Sequence, residues 1–125
     1  MCQHPANADP VLDAIQGIEQ ELDARVGFFS RDLNTEETLA YGADHRFPLN
    51  SVFKLFACGA LLSKVDDGES RLADFVDVRD YALVAYSPAV KQSVSDGRFE
   101  ITLGDACAMM LSVSDNTAAN IVLTE

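Results

Sequence analysis

A serine and a lysine stand three positions apart at the start of the most hydrophobic segment of the sequence, SVFKLFACGALLSKV. If this segment is helical, Ser51 and Lys54 share one face, since residues at i and i+3 are neighbours on a helix. A buried ammonium without a partner is costly, which favours the neutral amine that can act as a general base. A serine becomes a nucleophile when a neighbour takes its proton, so the pair predicts nucleophilic catalysis. The alternative is that Ser51 or Asn50 only caps the helix and Lys54 reaches solvent.

A polar triplet, Ser114-Asp115-Asn116, separates two segments that are predicted to be helices. Such a triplet taken alone is usually a turn and a helix cap. It is rarer by chance than a serine and a lysine at i and i+3, so it is the more specific signal. The two motifs together, in this order along the chain, are the evidence for a serine-based active site.

The first elements along the chain are a helix and a β-hairpin. Apolar residues recur at helical spacing from Pro10 to about Ala24, and Asp9 is a suitable N-cap. Residues 26–33 and 38–41 predict two strands joined by a short turn. Two strands do not make an independently stable sheet, and no later segment is a convincing strand.

The remaining elements are mainly helical. The segment 51–65 is apolar almost all round, which predicts a buried central helix. Ser87-Pro88 is predicted to be a turn. Thr102 with Asp105 resembles a capping box that opens a helix from Leu103 to about Ser112, and a further helix begins at Thr117.

Composition limits the classes of partner. Nine Lys and Arg residues against twenty Asp and Glu give a net charge of −11, which disfavours nucleic acid and anionic membrane surfaces. No apolar run has the roughly eighteen residues that a membrane span needs. The start of the chain lacks the basic residues and apolar core of a secretion signal. The three cysteines, Cys2, Cys58 and Cys107, allow one disulfide, or they are small buried hydrophobes.

At this point the sequence resembles a class A β-lactamase, from the first helix to Glu125. The segment FPLNSVFK, which holds Ser51 and Lys54, resembles the nucleophile segment of that family, and SDNTAAN resembles its second motif. Tyr86 with the Ser-Pro that follows resembles a stretch that carries an aromatic residue at the pocket edge. Cys58 and Cys107 fall where many members carry their single disulfide, which would imply an oxidising compartment such as the periplasm.

The resemblance implies acyl transfer onto serine and a role for each motif residue. Ser51 would open the lactam, Lys54 would help to activate it, and Ser114 would relay a proton to the lactam nitrogen. Asn116 would bind the substrate's side-chain amide. Tyr86 would pack against the bound substrate. Asp115 would orient the loop. Tyr86 is alternatively a surface packing residue.

The implied fold is the α/β two-lobed fold shared by serine β-lactamases and transpeptidases, here only its N-terminal half. Residues 1–8 would be a disordered tail, 9–46 the helix and hairpin of the α/β lobe, and 47–125 part of the all-α lobe. No Lys-Thr-Gly occurs, and after the Ser-Asp-Asn motif the only glutamate is Glu125. Both the substrate-binding strand and the deacylating glutamate of the family are therefore missing, and the chain alone is expected to be inactive.

The expected whole enzyme is a periplasmic or secreted monomer that hydrolyses β-lactam antibiotics without a metal or organic cofactor. The missing C-terminal half is a possible partner of this chain. Three alternatives stay open: a penicillin-binding transpeptidase or carboxypeptidase, a β-lactam sensor that is acylated and stops, and a complementation fragment. A helical domain with coincidental motifs is the fourth.

Overall fold

The structure is a computed structural model that describes residues 9–125. The predicted tail, with Cys2, lies outside the described residues. The chain divides into two compact units, of which the first ends at Pro48 and the second spans Leu49–Glu125. Among the helices described, none is both long enough and apolar enough to cross a bilayer.

The first unit contains the predicted helix and hairpin. Helix α1 spans Pro10–Leu22, and the Asp9 carboxylate accepts a hydrogen bond of 2.8 Å from Val11 N, as its N-cap position predicts. Strands β1 (Phe28–Arg31) and β2 (Thr38–Tyr41) pair antiparallel. Both predicted strands are thus confirmed.

The second unit contains four helices, of which three were predicted. A short 3₁₀ turn, Asn50–Val52, leads into α2 (Phe53–Asp66). Helix α4 (Leu103–Ser112) begins at the predicted capping box, in which the Thr102 hydroxyl and the Asp105 carboxylate each accept from the other residue's backbone N–H. Helix α5 spans Asn116–Thr124.

Helix α3 (Pro88–Ser95) corrects the prediction of a turn at Ser87-Pro88. Ser87 is the residue before the helix and Pro88 its first residue, where the missing N–H of proline costs no hydrogen bond. The helix has only eight residues, which is shorter than the window of about 11 to 18 residues in which helical periodicity can be recognised in a sequence.

A second pair of strands corrects the expectation that no strand follows the hairpin. Strand β3 (Phe75–Asp77) pairs antiparallel with β4 (Glu100–Thr102) in a two-stranded sheet. Each strand has three residues, which is too short for an alternating pattern to be recognised. Their pairing depends on contacts between segments far apart in sequence.

The hydrophobic core of the second unit lies where α2, α4 and α5 pack together. A disulfide between Cys58 and Cys107, with Cα atoms 5.7 Å apart, joins α2 to α4. The sequence left this pairing open, and only the resemblance implied it. Helix α2 is not buried all round as predicted, because in the described part of the chain its neighbours cover one side, and Leu55 and Phe56 remain 61% and 63% exposed.

Candidate active site

Two serines from distant parts of the sequence form the centre of the candidate site. Ser51 lies in the 3₁₀ turn before α2, and Ser114 lies in the loop between α4 and α5. Their Oγ atoms are 2.7 Å apart, which is a hydrogen bond in which either hydroxyl can donate. Ser51 is exposed, so a molecule in solution can reach its hydroxyl. The two sequence motifs therefore meet at their serines.

Lys54 lies beneath the serine pair and is only 1% exposed. Its Nζ atom donates to the Ser114 carbonyl oxygen at 2.6 Å, to Ser114 Oγ at 2.9 Å and to Asn116 Oδ1 at 2.7 Å. These three acceptors match the three N–H bonds of an ammonium group. Lys54 does not reach solvent, and it connects to Ser51 through Ser114 rather than by a hydrogen bond of its own.

A buried cation commonly has an anionic partner, but the hydrogen-bond partners of Lys54 are uncharged. In the described residues, its hydrogen bonds go to a carbonyl, a hydroxyl and an amide oxygen, all neutral dipoles. A buried charge is tolerated when its hydrogen bonds are satisfied. The ammonium therefore orients the Ser114 hydroxyl and Asn116 amide at the same time.

Asp115 is fully buried and fixes the loop that carries Ser114. Its carboxylate accepts from Ala118 N at 2.9 Å, from Ala89 N at 2.9 Å and from Val90 N at 3.0 Å. The first donor lies at the start of α5 and the other two lie at the start of α3. One side chain thus uses the unpaired amides of two helix N-termini, where negative charge is favoured.

Tyr86 and Asn116 meet through backbone groups at the rim of the site. Asn116 Nδ2 donates to the Ala85 carbonyl at 2.9 Å, and Asn116 N donates to the Tyr86 carbonyl at 3.0 Å. The Tyr86 side chain is 66% exposed. Its φ of +55° is in the left-handed region, which bulky residues rarely adopt. Ser114 also has a positive φ, +57°, so both motif loops are held in costly backbone conformations.

Two further polar residues near this rim carry no signal that sequence reasoning could have found. The side-chain oxygens of Ser87 and Thr117 are 2.8 Å apart, and both residues are buried. Each follows a motif residue, Tyr86 or Asn116, and each looks like an ordinary helix-start residue in the sequence. Their pairing is visible only in the folded chain.

The side chains brought together at this site suit hydroxyl chemistry. Within residues 9–125, no three His, Cys, Asp or Glu side chains are grouped so that they could hold a metal ion. An exposed hydroxyl, a second hydroxyl in contact with it and a buried cation on the second hydroxyl can move a proton away from a nucleophile.

The chain is similar in sequence to known β-lactamases. Residues 10–124 match the model of a β-lactamase enzyme family. The chain is 45% identical over 112 residues to the β-lactamase AER-1 of Aeromonas hydrophila, covering 90% of this chain and 36% of that protein. It thus spans about a third of the length of this curated relative.

Two solved structures are similar to the chain at the level of both fold and sequence. An ancestral class A β-lactamase matches with a TM-score of 0.79 and 34% identity, over 90% of this chain and 42% of that one. The chromosome-encoded β-lactamase of Vibrio parahaemolyticus matches with a TM-score of 0.73 and 34% identity, with the same coverage. The described elements are therefore those of part of a two-lobed fold.

Proposed function

The chain belongs to the β-lactamase enzyme family, and from that premise we propose that Ser51 is the nucleophile of a serine β-lactamase. The reaction is hydrolysis of the β-lactam amide through an acyl-enzyme on Ser51. The observation that carries this proposal is the hydrogen bond between Ser51 Oγ and Ser114 Oγ, with Lys54 Nζ 2.9 Å from the second hydroxyl. A solvent-exposed serine with a proton acceptor already in contact is what nucleophilic attack requires.

These groups alone account for every bond and every proton in the acylation step. Ser51 Oγ bonds to the lactam carbonyl carbon while the carbon–nitrogen bond of the ring breaks. The Ser51 proton passes to Ser114 Oγ, and the original Ser114 proton passes to the departing nitrogen. Lys54 donates to Ser114 Oγ throughout, which orients that hydroxyl and stabilises negative charge as it develops.

Lys54 helps to activate Ser51 chiefly as a donor in this arrangement. Its Nζ atom lies within hydrogen-bond distance of the Ser114 carbonyl oxygen, Ser114 Oγ and Asn116 Oδ1, so it reaches Ser51 only through the Ser114 hydroxyl. A hydroxyl relay through Ser114 uses this contact as it stands. Activation through the relay is therefore the simpler route from the observed geometry.

Hydrolysis of the acyl-enzyme requires more than this chain offers. Water must add to the ester carbon while Ser51 Oγ regains a proton, and a base must accept the proton of the water. The sequence holds no Lys-Thr-Gly, and Glu125 is the only glutamate after the Ser-Asp-Asn motif. We expect turnover from a longer protein that carries this chain, here termed the full-length protein, and none from the 125 residues alone.

The substrate class follows from the rim of the site. One N–H of the Asn116 amide is engaged by the Ala85 carbonyl, which leaves the second to donate to an amide oxygen of a β-lactam side chain. Tyr86, whose backbone carbonyl accepts from Asn116 N, has an exposed ring that offers a flat apolar surface. Penicillins and cephalosporins with acylamino side chains fit these two groups. Their hydrolysis would need no cofactor and would confer antibiotic resistance.

The disulfide supports an oxidising location for the proposed enzyme. Disulfides such as that between Cys58 and Cys107 persist in the periplasm and outside the cell, and are rare in the cytosol. The proposal is accordingly a periplasmic or secreted enzyme that acts as a monomer. If the remainder of the fold is supplied separately, its partner is the C-terminal half.

Mass spectrometry of the full-length protein with benzylpenicillin tests the proposal. We expect one penicillin adduct on Ser51 that disappears with time, and a fall in hydrolysis on the order of 10⁵-fold in Ser51→Ala. Ser63→Ala, the same change at an exposed position of α2, should have no effect. The 125-residue chain should hydrolyse nitrocefin no faster than buffer does.

Each other result has a distinct meaning. A stable adduct on Ser51 without hydrolysis would favour a penicillin-binding transpeptidase or a sensor over a β-lactamase. Undiminished hydrolysis by Ser51→Ala, or the absence of both hydrolysis and any adduct in the wild-type protein, would overturn the assignment of Ser51. Rapid nitrocefin hydrolysis by the 125 residues would show that the base for deacylation lies within them.

A further inference from the structure

From the buried polar groups next to the rim, we infer that Ser87 and Thr117 are positioning residues for substrate recognition. Their hydroxyls lock the segment 84–87 against the start of α5, and so hold Tyr86 and the Asn116 amide in place for the substrate side chain. This inference rests on the proposed function. It adds a pair of residues that do not themselves contact substrate.

The two hydroxyls form a closed ring of hydrogen bonds with one peptide group on each side of Val84. Val84 N donates to Thr117 Oγ1 at 3.1 Å, and Ser87 Oγ donates to the Val84 carbonyl at 3.0 Å. The ring is completed by the 2.8 Å contact between Ser87 Oγ and Thr117 Oγ1. Thr117 N also donates to Ser87 Oγ, at 3.0 Å.

The direction of the central hydrogen bond follows from counting protons. A serine hydroxyl has one hydrogen, and that of Ser87 is used by the Val84 carbonyl. Thr117 must then donate to Ser87 Oγ, because its competing acceptor, the Ala82 carbonyl, is farther away at 3.4 Å. Each hydroxyl thus both donates and accepts. Hydrogen bonds that run in one direction around a buried ring strengthen one another.

The ring continues directly into the recognition groups. The residues after Val84 are Ala85, whose carbonyl accepts from Asn116 Nδ2, and Tyr86, whose carbonyl accepts from Asn116 N. Tyr86 holds a positive φ of +55°, which persists only where the surroundings enforce it. The ring fixes the residues on both sides of that strained position, and Asn116 and Thr117 are adjacent in α5.

Burial explains why the hydroxyls are needed. Ser87 is 1% exposed and Thr117 is fully buried. Water therefore cannot simply replace a lost hydrogen-bond partner, and the loss costs free energy. Without the Thr117 hydroxyl, Val84 N loses its acceptor, and Ser87 Oγ loses one of its donors. The segment then gains freedom at Tyr86, although the Asp115 carboxylate still holds α3 to α5.

Kinetics of the full-length protein with two penicillins test this inference. Thr117→Val keeps the shape of the side chain and removes its hydroxyl. We expect KM for benzylpenicillin to rise about tenfold and kcat to change less than about threefold. The penicillin nucleus with a free amine instead of the acylamino group should be affected much less, because it lacks the group that Asn116 and Tyr86 would recognise.

Three further variants isolate the hydroxyl pair. Thr117→Ser keeps the hydroxyl and should restore the wild-type KM. Thr124→Val makes the same change at an exposed position of α5, where the hydroxyl bonds only to the Asn120 carbonyl within the helix, and should leave KM unchanged. Ser87→Ala should reproduce the defect, and the double variant with Thr117→Val should be no worse than about the more defective single variant.

The results distinguish a failure of this inference from a failure of the proposed function. A wild-type protein that neither hydrolyses nor is acylated by either penicillin contradicts the proposed function. An active wild-type protein in which Thr117→Val behaves normally, or loses activity equally on both penicillins, contradicts the positioning role alone. If Thr117→Val does not fold, Ser87→Ala and Thr117→Ser decide between these results with the same two penicillins.

Discussion

The two units of the chain differ in how their elements are held. In the second unit, the core of fourteen buried residues is joined by a disulfide between α2 and α4 and by the buried Asp115 between α3 and α5. In the first unit, Ile15 is the one buried hydrophobic residue among those described, and Leu22, Phe29 and Leu33 are largely exposed.

The polar contacts show the same difference. In the first unit, α1 is tied to the hairpin by Glu19, whose carboxylate accepts from the Tyr41 hydroxyl and from Val26 N in a part-buried position. In the second unit, Lys54 and Asp115 are buried, and their hydrogen bonds link segments distant in sequence. The proposed hydroxyl relay, which depends on distances accurate to tenths of an ångström, thus lies in the unit that has a core.

The largest loss of stability is expected from removing the disulfide in the second unit. Cys58 and Cys107 are separated by 49 positions, and closing a loop of that length in the unfolded chain corresponds to about 4 kcal/mol. Urea unfolding of the full-length Cys58→Ala/Cys107→Ala variant, compared with oxidised wild type, measures this loss. A change in the unfolding free energy near zero would mean that the core alone holds α2 to α4.

A smaller but still large loss is expected at Asp115. Asp115→Ala removes the acceptor of three buried or part-buried N–H groups at two helix N-termini, which costs about 3 kcal/mol of unfolding free energy. Asp105→Ala is the matched control, since that exposed aspartate serves only its own capping box and costs about 1 kcal/mol. Equal losses of unfolding free energy in the two variants, measured by urea unfolding, would show that Asp115 stabilises the protein no more than an ordinary helix cap does.

The smallest effect is expected in the first unit and depends on pH. The hydrogen bond from Tyr41, followed by that from Val26 N, lowers the pKa of Glu19 below its usual 4.5. Because the folded-state pKa is lowered, this contribution to stability is present above pH 4.5 and is lost as the pH falls through the folded-state pKa. Glu19→Gln keeps an acceptor for Tyr41 but cannot titrate.

The measurement is the urea midpoint of wild type and Glu19→Gln as a function of pH. Wild type should exceed the variant slightly at neutral pH, and the two should converge below pH 4.5. A loss at neutral pH as large as that of the disulfide variant would contradict the contrast between the two units.

The elements that could be predicted from sequence carry strong local signals. The cap and periodicity of α1, the two strands of the hairpin and the capping box of α4 each lie within a few neighbouring residues, and the structure has them where expected. Helix α3 and strands β3 and β4 could not be predicted, because their stability comes from partners far along the chain. The exposed side of α2 shows a second limit of sequence patterns. Its apolar residues indicate that the helix should be buried, but they do not indicate which segment covers it.

The candidate site divides in the same way. The sequence by itself determined which groups are available: a serine and a lysine at helical spacing, and a second serine and an asparagine in a loop that must turn. Only the tertiary structure decided that Lys54 bonds to Ser114 and Asn116 rather than to Ser51, and that Ser87 and Thr117 close a ring around Val84. Hydrogen bonds are directional and extend about 3 Å, so they depend on the packing of the helices, which no local pattern encodes.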